Sequence, residues 1–212
     1  MVLCIVSSSA LAQNSIELSF SAGPSVNWLS SGSNEVTKGG SKAGFDFGLT
    51  ADLFFDARNR YAITTGLLLS KTGGTLNYHM PGQFPFSGET LSAGSSIRYR
   101  LQYLEVPCAI KLRTSQFRRW TYWGQFGLSG FVKISAKGDS SDGQLDKTSI
   151  NDEVKRFNLA LNIGAGADFD LGSGNALSLG LIYKDGFVNI TKNDYDNKTT
   201  VNSVMLKLGL IF

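Results

Sequence analysis

A chain of 212 residues with a charged fraction of 17% and a formal net charge of +3 fits one large all-β domain. It is too weakly basic for a nucleic-acid binder, since its Lys and Arg residues are scattered rather than gathered into a stripe. The charged fraction lies below the roughly 25% of an average soluble domain, yet no run of about 18 apolar residues is present to form a transmembrane helix. Glycine at 24 residues and aromatics at 11% suit strands and turns.

In chain order, Met1–Val6 is apolar, Ser7–Ser9 is small and polar, and Ala10-Leu11-Ala12 forms an A-x-A cleavage site before Gln13. Residues 1–12 are therefore expected to be a signal peptide. It is an incomplete one, because no Lys or Arg precedes the apolar run, so the translation start is expected upstream. Residues 13–212 would form the mature domain. It would hold one thiol, Cys108, which excludes an internal disulfide framework; on the apolar side of a strand, Cys108 reads as a small hydrophobe.

The remaining chain alternates with a period of two, which is wrong for a helix. The first strand, about Ser15 to Leu29, places Ile16, Leu18 and Phe20 on one side. Phe45, Phe47, Leu49, Ala51, Leu53 and Phe55 form the next apolar face, followed by Tyr61, Ile63, Thr65, Leu67 and Leu69. Leu104, Val106, Cys108, Ile110 and Leu112 then alternate with polar neighbours, and Tyr122, Phe126, Leu128, Val132 and Ile134 repeat the pattern. The clearest run is Phe157 to Leu171, in which every odd residue is apolar. Leu177 to Tyr183 and Val204 to Phe212 close the series at eight strands. Pro107 interrupts the fourth strand and predicts a bulge or a locally unpaired step, because proline cannot donate to the ladder. Short turns at 56–59, 114–118 and 172–175 alternate with long polar connections at 30–42, 79–96, 137–153 and 189–200. That asymmetry is the outer-membrane pattern, with turns periplasmic and loops outside.

Alternation alone does not say which face is buried, since a soluble barrel would place its apolar face inside. The polar face here is rich in Gly, Ala, Ser and Asn, as a narrow eight-stranded interior requires. Aromatics gather near strand ends, where Tyr61, Trp120, Tyr122, Trp123 and Phe212 are expected at the membrane interfaces. The fold expected is an all-β, eight-stranded antiparallel up-and-down transmembrane β-barrel in a bacterial outer membrane. Its inward face would carry charge of both signs: Glu17, Asp46, Asp52, Glu105, Lys111, Arg113, Lys133, Asp168, Asp170, Lys184 and Lys207. Buried charges must pair, so these residues are expected to plug the lumen.

Tyr103-Leu104-Glu105-Val106-Pro107 with Lys111 following, Tyr183-Lys184-Asp185-Gly186-Phe187-Val188-Asn189-Ile190, Asn162-Ile163-Gly164-Ala165-Gly166 and Leu208-Gly209-Leu210-Ile211-Phe212 together resemble the PorT-like family of outer-membrane β-barrel proteins from Bacteroidota. Phe187 departs from the Leu expected there. The resemblance implies the barrel fold and an accessory role in secretion or envelope assembly, although fold alone does not transfer a role.

Catalytic chemistry is poorly represented. The single histidine, His79, lies in a predicted loop without an evident nucleophile or orienting acid, and the chain lacks the His and Cys of a zinc site. Asp139-Ser140-Ser141-Asp142-Gly143 lacks the ligand spacing of a calcium loop. No catalytic, metal or cofactor residue is therefore expected, and the partners expected are outer-membrane lipid and other envelope proteins. Three classes stay open on sequence alone: a non-catalytic barrel acting through its loops or turns, a narrow pore or small-ligand binder, and an outer-membrane enzyme. The acidic connection Lys137–Glu153 is the foremost candidate for contact with a partner.

Overall fold

The computed structural model describes residues 15–32, 36–79, 82–83, 90–91, 94–140, 148–192 and 199–212. The expected signal segment 1–12 and the loop residues Asp142 and Asp146 lie outside them. Among the described residues, eight long strands form the wall: β1 (Ile16–Ser31), β2 (Lys42–Phe54), β3 (Tyr61–Tyr78), β4 (Ser96–Arg113), β5 (Trp120–Ser140), β6 (Phe157–Gly172), β7 (Asn175–Gly186) and β8 (Thr199–Ile211). Each pairs antiparallel with its chain neighbours, and β8 pairs with β1 over Ser19↔Ile211 to Ser31↔Thr199, closing the barrel. Closure removes both sheet edges, which is what permits a sheet to cross hydrocarbon.

The parity follows the alternation. In β6, Phe157 is 66% exposed while Asn158, Asn162 and Asp168 are buried; in β7, Leu177, Leu179 and Leu181 face out while Ser178, Ile182 and Lys184 face in. Exposed Leu, Ile, Val and Phe from all eight strands form a continuous apolar belt, the surface a lipid tail requires.

The turns at one end are tight. Ser173 and Gly174 bridge β6 to β7 with φ of 57° and 82°, the left-handed pair of a two-residue hairpin. Between β2 and β3, the Asp56 carboxylate accepts hydrogen bonds from the backbone N–H groups of Arg58, Arg60 and Tyr61. At the opposite end the strands overshoot the belt. Val36–Lys38 pairs with the end of β3, Thr148–Ser149 pairs with β5, and Ile150–Glu153 closes a single turn through Glu153 N–H to the Ile150 carbonyl.

Of the two irregularities expected at Pro107, the structure shows the locally unpaired step and not the bulge. Pro107 pairs in regular register with Ser129 of β5. On the β3 side, bridging stops at Thr65↔Cys108 and resumes at Leu68↔Glu105 in the same register. Proline removes one donor but inserts no extra residue, so the ladder loses pairing locally and the register is kept. A bulge lies higher, in the neighbouring strand β5, where Gln102↔Ser135 is followed by Tyr103↔Lys133. Ile134 is the extra residue of β5.

Candidate functional site

The inward face of the wall divides into three layers. Nearest the tight-turn end, Lys111 bonds Asp52 at 2.7 Å, and Thr64 also donates to Asp52. Arg113 reaches Glu17 at 2.8 Å and Asp168 at 3.3 Å, and Lys111 approaches Asp168 at 3.9 Å. Trp123 stands in this layer, with Lys111 Nζ 5.0 Å and Lys207 Nζ 5.3 Å from its ring centroid. The layer thus sets the cations Lys111, Arg113 and Lys207 against the carboxylates of Glu17, Asp52 and Asp168, an even balance in a narrow interior.

The middle layer centres on Lys184, whose ammonium donates to Glu105 and, at 3.2 Å, to Asp46; Ser70 completes Asp46. All three ionised side chains are 5% exposed or less. Gln125, Asn162 and Ser129 continue the layer in a chain of hydrogen bonds. Two cavities among these side chains are about 20 Å³ each, roughly the room of one water.

The third layer, toward the long loops, is apolar. Leu29, Leu76, Tyr78, Ile97, Tyr99, Leu101, Tyr103 and Phe131 pack inward and are covered by Ile150, Val154 and Ile190 from the loops. The loops are themselves joined. Val154 bridges Thr191, Lys155 N–H donates to the Ile190 carbonyl, and Lys192 N–H donates to the Glu153 carbonyl. Along β4 the polarity of both faces therefore reverses while the parity stays constant. Ile97, Tyr99, Leu101 and Tyr103 point in opposite Arg98, Arg100 and Gln102, whereas below them Glu105, Ala109 and Lys111 point in opposite Leu104, Val106, Cys108, Ile110 and Leu112. The lower stretch, about nine residues long, is what a tilted membrane strand needs. In the upper stretch, Lys42 donates to the Tyr99 carbonyl at 3.5 Å. Burial, with Arg100 beside it, lowers the Lys42 pKa to about 8.

Three placements depart from the sequence expectations. Trp123 is 4% exposed and lies in the lumen, not at an interface; it has the inward parity of Gln125 and Ser129, and its ring is accommodated by Gly166 and Gly180, where a Cβ would stand 2.6 and 2.5 Å from ring atoms. Tyr61, Trp120, Tyr122 and Phe212 are exposed near the tight-turn end, joined there by Phe55 against Tyr61 and by Phe169 against Trp120. Lys133 takes no part in the charge layers. Displaced by the bulge, its ammonium binds the carbonyls of Asn151 and Val154 in the cap. Asp170 belongs to the rim, where it accepts from Gln116 and from the Gly172 N–H. His79 is exposed and bonds Thr37. Cys108 is exposed on the belt.

A family model described as an outer membrane protein beta-barrel domain matches residues 11–207. The chain belongs to that family. As a member of the outer membrane protein β-barrel domain family, it is an outer-membrane protein, and its belt of exposed apolar side chains meets lipid. No characterised relative matches it by sequence. Among solved structures, Neisserial surface protein A is similar at 15% identity with a TM-score of 0.51, over 92% of this chain and 95% of that one. OprG from Pseudomonas aeruginosa aligns at 13% identity and a TM-score of 0.43, over 94% and 97%. Ail, the attachment invasion locus protein of Yersinia pestis, solved with the heparin analogue sucrose octasulfate, aligns at 16% and 0.41, over 93% and 99%. The likeness to the Neisserial protein is one of fold.

Proposed function

We propose that this family member is a non-catalytic barrel with a closed lumen, acting on soluble partners through its extracellular loops. The observation that carries the reading is the sequence of two charge layers and an apolar cap across the interior. Each charged side chain in the layers is held by an opposite charge, a hydrogen bond or the Trp123 ring, and the cap is closed by loop residues that are themselves buried. In a barrel whose wall faces lipid and whose interior is filled, the ends are what remains for contact. The PorT-like motifs around Tyr103 and Tyr183 favour an accessory role in secretion or envelope assembly.

The connection between β5 and β6 is the best candidate. Its second half supplies Ile150 and Val154 to the cap, so the recognition surface is assigned to residues 141–147, which carry Asp142 and Asp146. Replacing these seven residues with a short Gly-Ser linker should leave assembly intact and abolish crosslinks to envelope partners. Crosslinks that survive the replacement defeat the loop reading. Purified barrel in planar bilayers should show no steady conductance. A stable open level would favour the narrow-pore reading instead.

A further inference from the structure

The layers of the lumen meet one another across two small polar cavities. The lower cavity, about 20 Å³, is lined by Lys207 of the layer nearest the tight turns, by Gln125, Glu105 and Lys184 of the middle layer, and by Ser21 of β1. Gln125 Nε2 donates to Asn162. Among the described residues, however, Gln125 Oε1 accepts no hydrogen bond and the Ser21 hydroxyl has no partner. The Lys207 ammonium has the Trp123 ring at 5.3 Å and, among the described residues, no hydrogen-bond acceptor. The upper cavity, of the same size, lies between Lys184 and the cap and is lined by Ser70, Thr72, Tyr103 and Ser203. The hydroxyls of Thr72 and Tyr103 have no partner among the described residues.

Ser21, Gln125, Lys207, Thr72 and Tyr103 are all at least nine-tenths buried, so bulk solvent does not serve them. A buried polar atom without a partner carries the full penalty of its desolvation. Several such atoms around a space of this size are what holds an ordered water. The lining also selects the occupant. In the lower cavity Lys207 requires an acceptor while Gln125 Oε1 requires a donor. A halide would meet only the first need, and a metal cation would be repelled by the ammonium groups of Lys207 and Lys184. Water meets both. In the upper cavity two hydroxyls, each able to donate and to accept, face the same choice, and Lys184 lines that cavity as well.

We propose that the lumen binds two ordered waters, one on either side of the Lys184 ion cluster. The lower water accepts from Lys207, donates to Gln125 Oε1 and has the Ser21 hydroxyl as its third partner. The upper water joins the hydroxyls of Thr72 and Tyr103. The first links the two charge layers, and the second links the middle layer to the cap. Lys184 and its carboxylates stand between them, so the pair forms no continuous file of water through the barrel.

The test is a crystal structure of the full-length barrel at a resolution that shows ordered water. One density peak should occupy each cavity, within about 3.2 Å of Lys207 Nζ and Gln125 Oε1 below and of Thr72 Oγ1 and Tyr103 Oη above. Soaks in bromide or in thallium(I) should give no anomalous peak in either cavity. Gln125→Met keeps the reach of the side chain and removes the acceptor; it should empty the lower cavity and leave the upper water in place. Thr72→Val with Tyr103→Phe should do the reverse. Vesicle-embedded Tyr103→Phe should also unfold at lower urea than the unaltered barrel, because a water-bound hydroxyl is lost; removal of an unpaired hydroxyl would relieve a penalty and raise the midpoint. Cavities without density in the unaltered protein, an anomalous peak in either, a peak that persists once its partners are removed, or a Tyr103→Phe midpoint unchanged or raised would overturn the assignment. If a cavity variant does not assemble, the unaltered crystal and its soaks still decide. Conductance is read separately, so the waters and the closed lumen fail independently.

Discussion

Gly180 lies directly against the ring of Trp123: a Cβ on that glycine would stand 2.5 Å from Cζ2 and 2.7 Å from Cη2. The largest side chain in the lower lumen is possible because the facing wall residue has none. Gly180→Leu should therefore be destabilising by about 1–3 kcal/mol, the usual cost of overpacking, read as a lower urea midpoint for vesicle-embedded barrel. Gly124→Ala is the control, since a Cβ at Gly124 meets nothing closer than 3.9 Å. Equal midpoints for the two variants would contradict the packing described.

Lys184 neutralises two carboxylates at once. Lys184→Met leaves Asp46 and Glu105 buried together without their cation, and breaking such a pair costs roughly 3–5 kcal/mol. Adding Asp46→Asn and Glu105→Gln should recover most of that loss. A triple variant no more stable than Lys184→Met would show that the ammonium acts through packing and not through charge.

The belt sets a depth-dependent penalty. Leu181 is 58% exposed and pairs with Ala165 and Leu206 within the belt. Leu181→Arg should cost about 2–4 kcal/mol if it sits at the midplane and should reduce the yield of assembled barrel. Gln102→Arg, on the outer face above the reversal, should assemble normally, as native Arg98 and Arg100 already do on that face. Unchanged assembly of Leu181→Arg would count against the lipid-facing parity.

The tight turn at Asp56 supplies a pH signature outside the membrane. Desolvation works to raise its pKa and is outweighed by the hydrogen bonds from Tyr61, Arg60 and Arg58 and by the Arg60 charge, so the folded value lies below the ordinary one. A carboxylate held low in the folded state stabilises the turn above its unfolded pKa of about 3.9, and the contribution is lost as pH falls through the folded value. NMR of the Arg60 and Tyr61 amides should report the titration below that pH. Asp56→Asn should abolish it.

The sequence made the wall legible because lipid imposes a simple rule. Over Phe157–Leu171 every odd side chain meets hydrocarbon, and chemistry and parity agree. Where a side chain's chemistry and parity disagree, chemistry alone misplaces it. Trp123 looked interfacial beside Trp120 and Tyr122, yet its odd number in β5 already placed it with Gln125 and Ser129; the two glycines that make room for it lie on other strands. Lys133 shares that parity, but the bulge at Ile134 turns it toward the cap, and nothing local announces the bulge. At Pro107 the unpaired step wins over the bulge, since losing one donor is cheaper than inserting a residue. The cap is written in Ile97-Arg98-Tyr99-Arg100-Leu101-Gln102-Tyr103, a clean alternation of opposite sense to the belt below it.

That reversal between Tyr103 and Leu104 also works as a depth gauge. Sinking the barrel by a pair of residues, about 5 Å for a tilted strand, would carry Gln102 into hydrocarbon and bring Arg100 to its edge. Raising it by the same amount would lift Leu104 into the headgroups. Both displacements are opposed by the same strand, so the depth of the barrel, and with it the height of its loops above the cell surface, is held from both sides.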